Sequence, residues 1–341
     1  MPDVLLHWFA FGGGLFLVIS TVLAAIRSFV LPRNETVLIS SFVFRVLRML
    51  FNGLARLGTT YERRDRVMAL YAPVGLVALP IVWLTLLSVG YTNIFWALGE
   101  GRWERCLRIS NSSLLTLGSE EPSHNVWANL ISYSEATLGL LLMTLLISYL
   151  PTMYQAFSRR EITVSRLELR SGAKASAVEL LLWLHRTGSL QDDRAQWQEW
   201  EQWFVEIEET HTSLPILSFF RSPQPGRSWI TAAGVILDAA ALIISTVEQP
   251  RDPYLTLCFK AGCVALNRVA RFFGYDERPG SPPSPAEQAG FHHSREQLRE
   301  AGIPLCPEAE AWQQYQELRS RYARAAAYLA RVTMAPGAVN D

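Results

Sequence analysis

Lysine is almost missing from this chain: of its 341 residues only Lys174 and Lys260 are lysines, so the positive charge is carried by arginine. Cysteine is scarce too. Cys106, Cys258, Cys263 and Cys306 show neither Cys-x-x-Cys spacing nor a histidine pair at finger spacing, which argues against a zinc framework and reads as reduced, packed thiols. Formal net charge is zero and half the residues are hydrophobic, which excludes a disordered tail or a nucleic-acid binder working by bulk charge. Gly-rich phosphate loop, nucleophile elbow and His-Glu-x-x-His are all lacking, so no enzyme is expected. His292-His293 has no third ligand and falls in a linker-like stretch. His211-Thr212-Ser213 reads as a helix-ending turn before Pro215, because adjacency in sequence is not triad geometry. There is no repeat and no strand-period alternation of any length, so the expected fold is all-α.

Half the residues are hydrophobic, and they concentrate before residue 157, the pattern of an integral membrane protein. Residues 5–26 make an apolar run of about one bilayer thickness. Its leader carries Asp3 and His7 where a signal peptide would be positive, and Arg27 and Arg33 follow it, so it reads as a retained anchor with its N-terminus outside. Gly12-Gly13-Gly14 suits either close helix packing or a lipid-facing stretch. Residues 36–57 are apolar with Arg45, Arg48 and Arg56 at helical spacing. They fit an amphipathic helix lying on the cytoplasmic surface better than a span, although arginine-bearing spans exist. With Arg63, Arg64 and Arg66 the segment to 66 is a basic linker, which the positive-inside rule places in the cytoplasm.

A second span is predicted from Val67 to Leu87, kinked at Pro73 and Pro80. It leads to Tyr91, Trp96 and Trp103, read as an aromatic belt at the outer interface. A third helix, about 126–157, starts near Trp127 and ends in Arg159, Arg160, Arg166 and Arg170. Between the two lies the stretch around which the chain is organised. Residues 100–114 form a short amphipathic helix, too short to span, that ends in Thr116-Leu117-Gly118-Ser119-Glu120-Glu121. That is the layout of a re-entrant loop, and non-helical backbone at membrane depth persists only where protein buries it or it lines a watery path.

Residues 67–160 resemble the pore module of the potassium-channel superfamily: outer helix, pore helix, selectivity filter, inner helix. The exit Leu150-Pro151-Thr152-Met153-Tyr154-Gln155-Ala156-Phe157-Ser158-Arg159-Arg160-Glu161 is similar to that of bacterial two-helix ion-channel-type proteins. The stretch from Phe219-Phe220-Arg221-Ser222-Pro223 to Trp229 is similar to their helical cytoplasmic region. The resemblance implies a filter at Thr116, Leu117, Gly118 and Ser119, conducting K+ or Na+ in a homotetramer, since one loop supplies a quarter of a filter. The potassium-selective form is Thr-Val-Gly-Tyr-Gly. Ser119 replaces Tyr and Glu120 the second Gly, so the filter is degenerate, shorter and weakly selective. Glu120 and Glu121 form the outer mouth, as a carboxylate ring or, for Glu121, as a solvated charge. Gly139 lies near the hinge position of the resembled channels. Leu140, Met143, Ile147 and Pro151 form one helical stripe, either pore-lining and gating or simply packing. Ser112, Ser113 and Glu135 are expected behind the short helix. Glu135 either braces it through Ser112, Ser113 or Arg108, or is itself a cation site.

After Gly172 the composition turns to that of a soluble helical domain: 175–187, then an acidic helix at 194–210 with Trp197, Trp200 and Trp203 as a packing face and Glu199, Glu201, Glu206 and Glu208 exposed. Residues 228–247 and 254–273 are long enough for another membrane hairpin but fit buried core helices better. A linker at 279–285 precedes a final helix, 308–332. Arg221, Arg227 and Ser228, ahead of a helix, form either an anion site or ordinary capping. The divisions are therefore 1–35, 36–66, 67–160 and 161–341. The expected protein is a multi-pass bacterial inner-membrane cation channel in contact with lipid. Its N-terminus is outside, and a cytoplasmic domain that takes a small ligand or partner gates it. It has no cofactor and binds no nucleic acid. The alternative is a channel-derived receptor or scaffold that does not conduct.

Overall fold

The computed structural model describes residues 2–29, 38–56, 61–123, 125–172, 176–190, 193–224, 226–276 and 284–335. Among these the chain is helical throughout, with a single isolated bridge between Val247 and Leu305. It divides into two units, 1–154 and 155–341.

In the first unit, α1 (Pro2–Phe29) packs along α4 (Tyr71–Ala97). Glycine sets their separation. A methyl group on Gly14 would lie 2.5 Å from the Gly90 carbonyl, and one on Gly90 would lie 2.8 Å from the Val18 side chain. Gly12 and Gly13 face open space, so the triplet splits: one residue for packing, two for the exposed face. α2 (Leu38–Arg56) carries Val43 and Phe51 inward while Phe42, Met49 and Leu50 are exposed. It is not among the helices long and apolar enough to cross a membrane. Of the basic linker, Arg33 and residues 57–60 lie outside the described residues.

The second predicted span lies within a longer apolar helical stretch, Arg66–Ala97. A short helix, α3 (Tyr61–Ala69), ends just before α4, which then runs ten residues past Leu87. Pro73 therefore stands in the first turn, where no intrahelical donor is needed, and Pro80 is the one proline in the helix interior. α5 (Trp103–Leu114) follows a tight turn. α6 (Val126–Ser171) has 46 residues, about 69 Å at the standard rise, and continues through Pro151 far beyond the expected end at 157.

Among the described residues four helices are long and apolar enough to span a bilayer: α1, the Arg66–Ala97 stretch, α6, and α9 (Trp229–Thr246). Burial separates them. The apolar windows of the first three are 28%, 33% and 17% buried, that of α9 is 78%. Phe9, Phe16, Val77, Ile81 and Leu140 stand exposed on the first three, and surface of that extent marks contact with lipid or other chains. Their length, composition and exposed apolar faces are those of a membrane protein.

The second unit is a helical domain. α7 (Ala177–Arg186), α8 (Arg194–Ser213), α9 and α10 (Pro253–Phe272) enclose one apolar core together with α11 (Pro285–Glu300), α12 (Glu308–Ser320) and α13 (Ala323–Thr333). Trp197, Trp200 and Trp203 are buried in it as a packing face. The glutamates opposite are half-buried rather than free: Glu199 pairs with Arg166 and Glu208 with Arg268. Three expectations change. His292-His293 lies inside α11, where His292 meets Glu308 at 2.6 Å. That helix begins at a capping box between Ser284 and Glu287, just after a linker whose residues 279–283 lie outside the described residues. The last helix is two, broken where Tyr322 turns in to donate to Asp238.

The domain's start is pinned by a buried cation. Arg160, on α6, is 3% exposed. Its guanidinium pairs with Glu161 at 2.7 Å, donates to the carbonyls of Leu217 and Phe220 at 2.8 Å each, and meets His211 Nε2 at 3.3 Å. Nε2 can face a donor only as an acceptor, which puts the imidazole proton on Nδ1 beside Thr210. Burial, then the Arg160 charge, holds the His211 pKa well below the ordinary histidine value.

Candidate functional site

The helix α5 is polar on its buried face, and each polar group there finds a partner. Ser110, Asn111, Ser112 and Ser113 would be costly in an apolar setting unless hydrogen-bonded. Ser110 Oγ donates to Glu135 on α6 and lies 3.1 Å from the Ser88 carbonyl on α4. Ser88 Oγ donates to Asn111 Oδ1 at 3.0 Å, and the Asn111 amide donates back to the Leu107 carbonyl at 3.0 Å. Ser113 Oγ is 2.7 Å from Ser132 Oγ on α6. This rack of small hydroxyls holds α5 between α4 and α6. Glu135 is fully buried, and its second oxygen meets no donor among the described residues.

Close approach completes the fit. A methyl group on Gly139 would fall 2.1 Å from the Leu114 carbonyl oxygen, so α6 touches the C-terminal end of α5 through bare backbone. Gly139 is thus a buried packing position, whereas Leu140, Met143, Ile147 and Pro151 are exposed along α6. Pro151 also leaves the Ile147 carbonyl without its helical donor.

Past Leu114 the backbone leaves the helix. The N–H groups of Thr116 and Leu117 are satisfied by the carbonyls of Ser113 (3.0 Å) and Ser112 (2.8 Å). Thr116 and Gly118 take positive φ, +55° and +62°, while Leu117 between them does not. Such φ is natural for Gly118 and strained for the β-branched Thr116. Thr116, Leu117, Gly118 and Ser119 are all exposed, and no described residue donates to the carbonyls of Thr116, Leu117 or Gly118. The result is a run of exposed residues whose carbonyls meet no donor among the described residues, at the negative end of a helix dipole.

Beyond the cluster the loop is tied down twice. The Glu120 N–H donates to Ser112 Oγ at 3.0 Å, and its carboxylate pairs with Arg108 at 2.6 Å and with Arg105 at 3.8 Å. Glu121 is the exposed acid of the pair. Glu100, 3% exposed, accepts from Ser123 N–H at 2.7 Å and Ser123 Oγ at 2.6 Å, clamping the loop's exit to the turn before α5.

Of the residues singled out from sequence, Ser112 and Ser113 do contact the loop and α6. Glu135 meets α5 through Ser110, not through Ser112, Ser113 or Arg108. Tyr91 is buried with its hydroxyl 3.0 Å from Ser134 Oγ, so it belongs to the packing and not to an interface belt. Ser88, Ser110, Asn111 and Glu100 were missed. Ser88 and Glu100 stand as lone polar residues in or just after the apolar α4, and Ser110 and Asn111 belong to the polar run that continues into Ser112 and Ser113. No metal-binding group of His, Cys, Asp or Glu exists among the described residues. Comparison with family models, curated proteins and solved structures finds no match for this chain.

Proposed function

We propose that this chain is the subunit of a tetrameric cation channel in the bacterial inner membrane, with its N-terminus outside and residues 161–341 in the cytoplasm. The observation that carries the reading is the exposed run Thr116 to Gly118 at the C-terminal end of α5, whose carbonyls meet no donor among the described residues. Backbone carbonyls that find no donor in their own chain can replace a cation's hydration shell, and four such loops would close around one axis. The dipole of α5 adds partial negative charge at the same place. The serine and glutamate rack behind α5 supplies the rigidity that a coordinating loop needs.

Conduction of K+ with weak discrimination against Na+ follows from Ser119 and Glu120 where a potassium filter has Tyr and Gly. The exposed stripe Leu140, Met143 and Ile147, ending at Pro151, lines the inner cavity and gates it, and α6 carries movement of the cytoplasmic domain to the gate. The test is flux: purified protein in liposomes, with K+ and Na+ gradients, against Gly118→Ala. Alanine at φ +62° is strained, so flux should fall at least tenfold in the variant. Absence of flux in the unaltered protein would favour the second reading, a receptor or scaffold built on the same architecture. A monomer or dimer in native mass spectrometry would overturn the tetramer.

A further inference from the structure

In the cytoplasmic unit a small cleft opens at the N-terminus of α9, lined by Ser218, Arg221, Ser222, Arg227, Ser228 and Trp229. Three kinds of anion-binding group meet there. Ser228 caps the helix by accepting from Ile230 N–H at 3.2 Å, and the next free N–H groups, of Trp229 and Thr231, have no acceptor among the described residues. Arg221 and Arg227 bring guanidinium groups to the wall. Arg227 is held by an ion pair with Glu168, and Arg221 donates to the Met334 carbonyl at 2.8 Å among its contacts, which fixes both side chains in place. The third group is the telling one. Ser218 is 2% exposed, and its hydroxyl finds no partner among the described residues; the Ser222 hydroxyl is in the same position. A buried hydroxyl without a partner costs stability, so a chain that keeps two of them at one cleft keeps them for something that accepts hydrogen bonds.

The turn Pro215–Phe219 that presents Ser218 is itself rigid. Arg160 holds the carbonyls of Leu217 and Phe220, on either side of Ser218, and Trp229 Nε1 donates to the Ser218 carbonyl at 3.3 Å. The wall is therefore built before any ligand arrives.

We propose that this cleft binds a phosphate-type oxyanion, with Ser218 and Ser222 donating through their hydroxyls, Arg221 and Arg227 through their guanidiniums, and the α9 N-terminus through backbone N–H. A tetrahedral oxyanion matches this set because it offers several acceptor oxygens to donors converging from a turn, a helix end and two side chains. The site stands whether or not the chain conducts ions. Its source is either a soluble phosphate ester or the phosphate of a lipid headgroup.

The experiment titrates inorganic phosphate into the full-length protein in detergent at constant ionic strength, with chloride as control, and reads heat and thermal unfolding. Saturable binding that chloride does not reproduce is expected. Ser218→Ala should weaken it about tenfold, the loss of one hydrogen bond to a charged group. The same variant should unfold no earlier than the unaltered protein without phosphate, because it removes an unsatisfied hydroxyl. Arg221→Gln should weaken binding at least as much, and Arg221→Lys should restore part of it. A second arm uses vesicles of phosphatidylcholine with and without phosphatidic acid. Tighter, Ser218-dependent binding to the acidic vesicles assigns a headgroup, and the reverse order assigns a soluble ligand. Phosphate binding no stronger than chloride, or binding indifferent to Ser218 and Arg221, would overturn the proposal.

Discussion

Gly139→Ala is the smallest change that tests the architecture around the 115–121 loop. The added methyl group would sit 2.1 Å from the Leu114 carbonyl oxygen, 3.1 Å from its carbon and 3.3 Å from the Leu114 side chain. The nearest atom is backbone at a helix end, so no rotamer change relieves the contact. Either α5 retreats by more than about 1 Å or α6 bends. Alanine is favoured over glycine in a helix by about 1 kcal/mol, while overpacking of a well-fitted contact costs about 1–3 kcal/mol. Because the obstacle is rigid, the upper end applies and the net loss is about 2 kcal/mol. For a unit of this size that lowers the midpoint by roughly 4–8 °C. The assay is thermal unfolding of the detergent-solubilised protein by tryptophan fluorescence. Gly53→Ala on α2 serves as the control, since a methyl group there meets nothing within 4 Å and should be neutral or stabilising. If Gly139→Ala matched Gly53→Ala, α6 would not touch α5 at Leu114, and the rack of Ser110, Ser113 and Glu135 would have to be redrawn.

The same reasoning separates the N-terminal glycines: Gly14→Val should destabilise the membrane unit by about 2 kcal/mol, whereas Gly12→Val should stay within about 0.5 kcal/mol in the same unfolding assay. Arg160→Ala leaves Glu161 buried without its cation and frees two carbonyls, so denaturant unfolding of the second unit should show a loss of about 3–5 kcal/mol. His211 is neutral in the fold and protonates readily only when unfolded, so the unfolded state binds the extra proton and stability must fall as pH drops below about 6.5. His211→Asn should remove up to about 1.4 kcal/mol per pH unit of that slope, measured as the difference between the two proteins' stability curves from pH 7 to 5.

The sequence announced its elements through period and composition, and it failed where contacts decide. A long apolar run identifies α1 and α6, and the short amphipathic piece between spans identifies α5, because those signals are local. The second span runs ten residues further than its apolar pattern announced, and Pro73 opens α4 where a kink was expected, because a proline can start a helix as readily as bend one. α11 was hidden because His292-His293 and the nearby prolines suggested a linker, while the deciding feature was the capping pair three residues apart, Ser284 with Glu287. Gly139 shows the limit most clearly: the resemblance places it near a hinge position, while the carbonyl that it admits at the end of α5 is visible only in the fold. Glu135 could be placed near α5 from helix spacing, yet its choice of Ser110 over Ser112 depends on the rotation of α5, which no linear pattern encodes.

The two neighbouring acids of the loop make the same point electrically. By order alone, Glu120 is nearer the Thr116–Gly118 carbonyls and is the better-placed cation attractor. In the fold its carboxylate is engaged by Arg108 and Arg105, and its N–H by Ser112, so it acts as a strut. Glu121, exposed, is the acid left to act through space. Removing either acid changes the local charge by one, but the consequences differ. Loss of a free surface charge is a field effect and fades within a Debye length, about 10 Å at 0.1 M salt and about 3 Å at 1 M. Loss of a strut displaces the backbone and does not fade. If the chain conducts, Glu121→Gln should therefore reduce cation flux at 0.01 M salt and leave it unchanged at 1 M. Glu120→Gln should reduce it at both. Equal salt sensitivity of the two variants would mean that Glu120 is not held by its arginines.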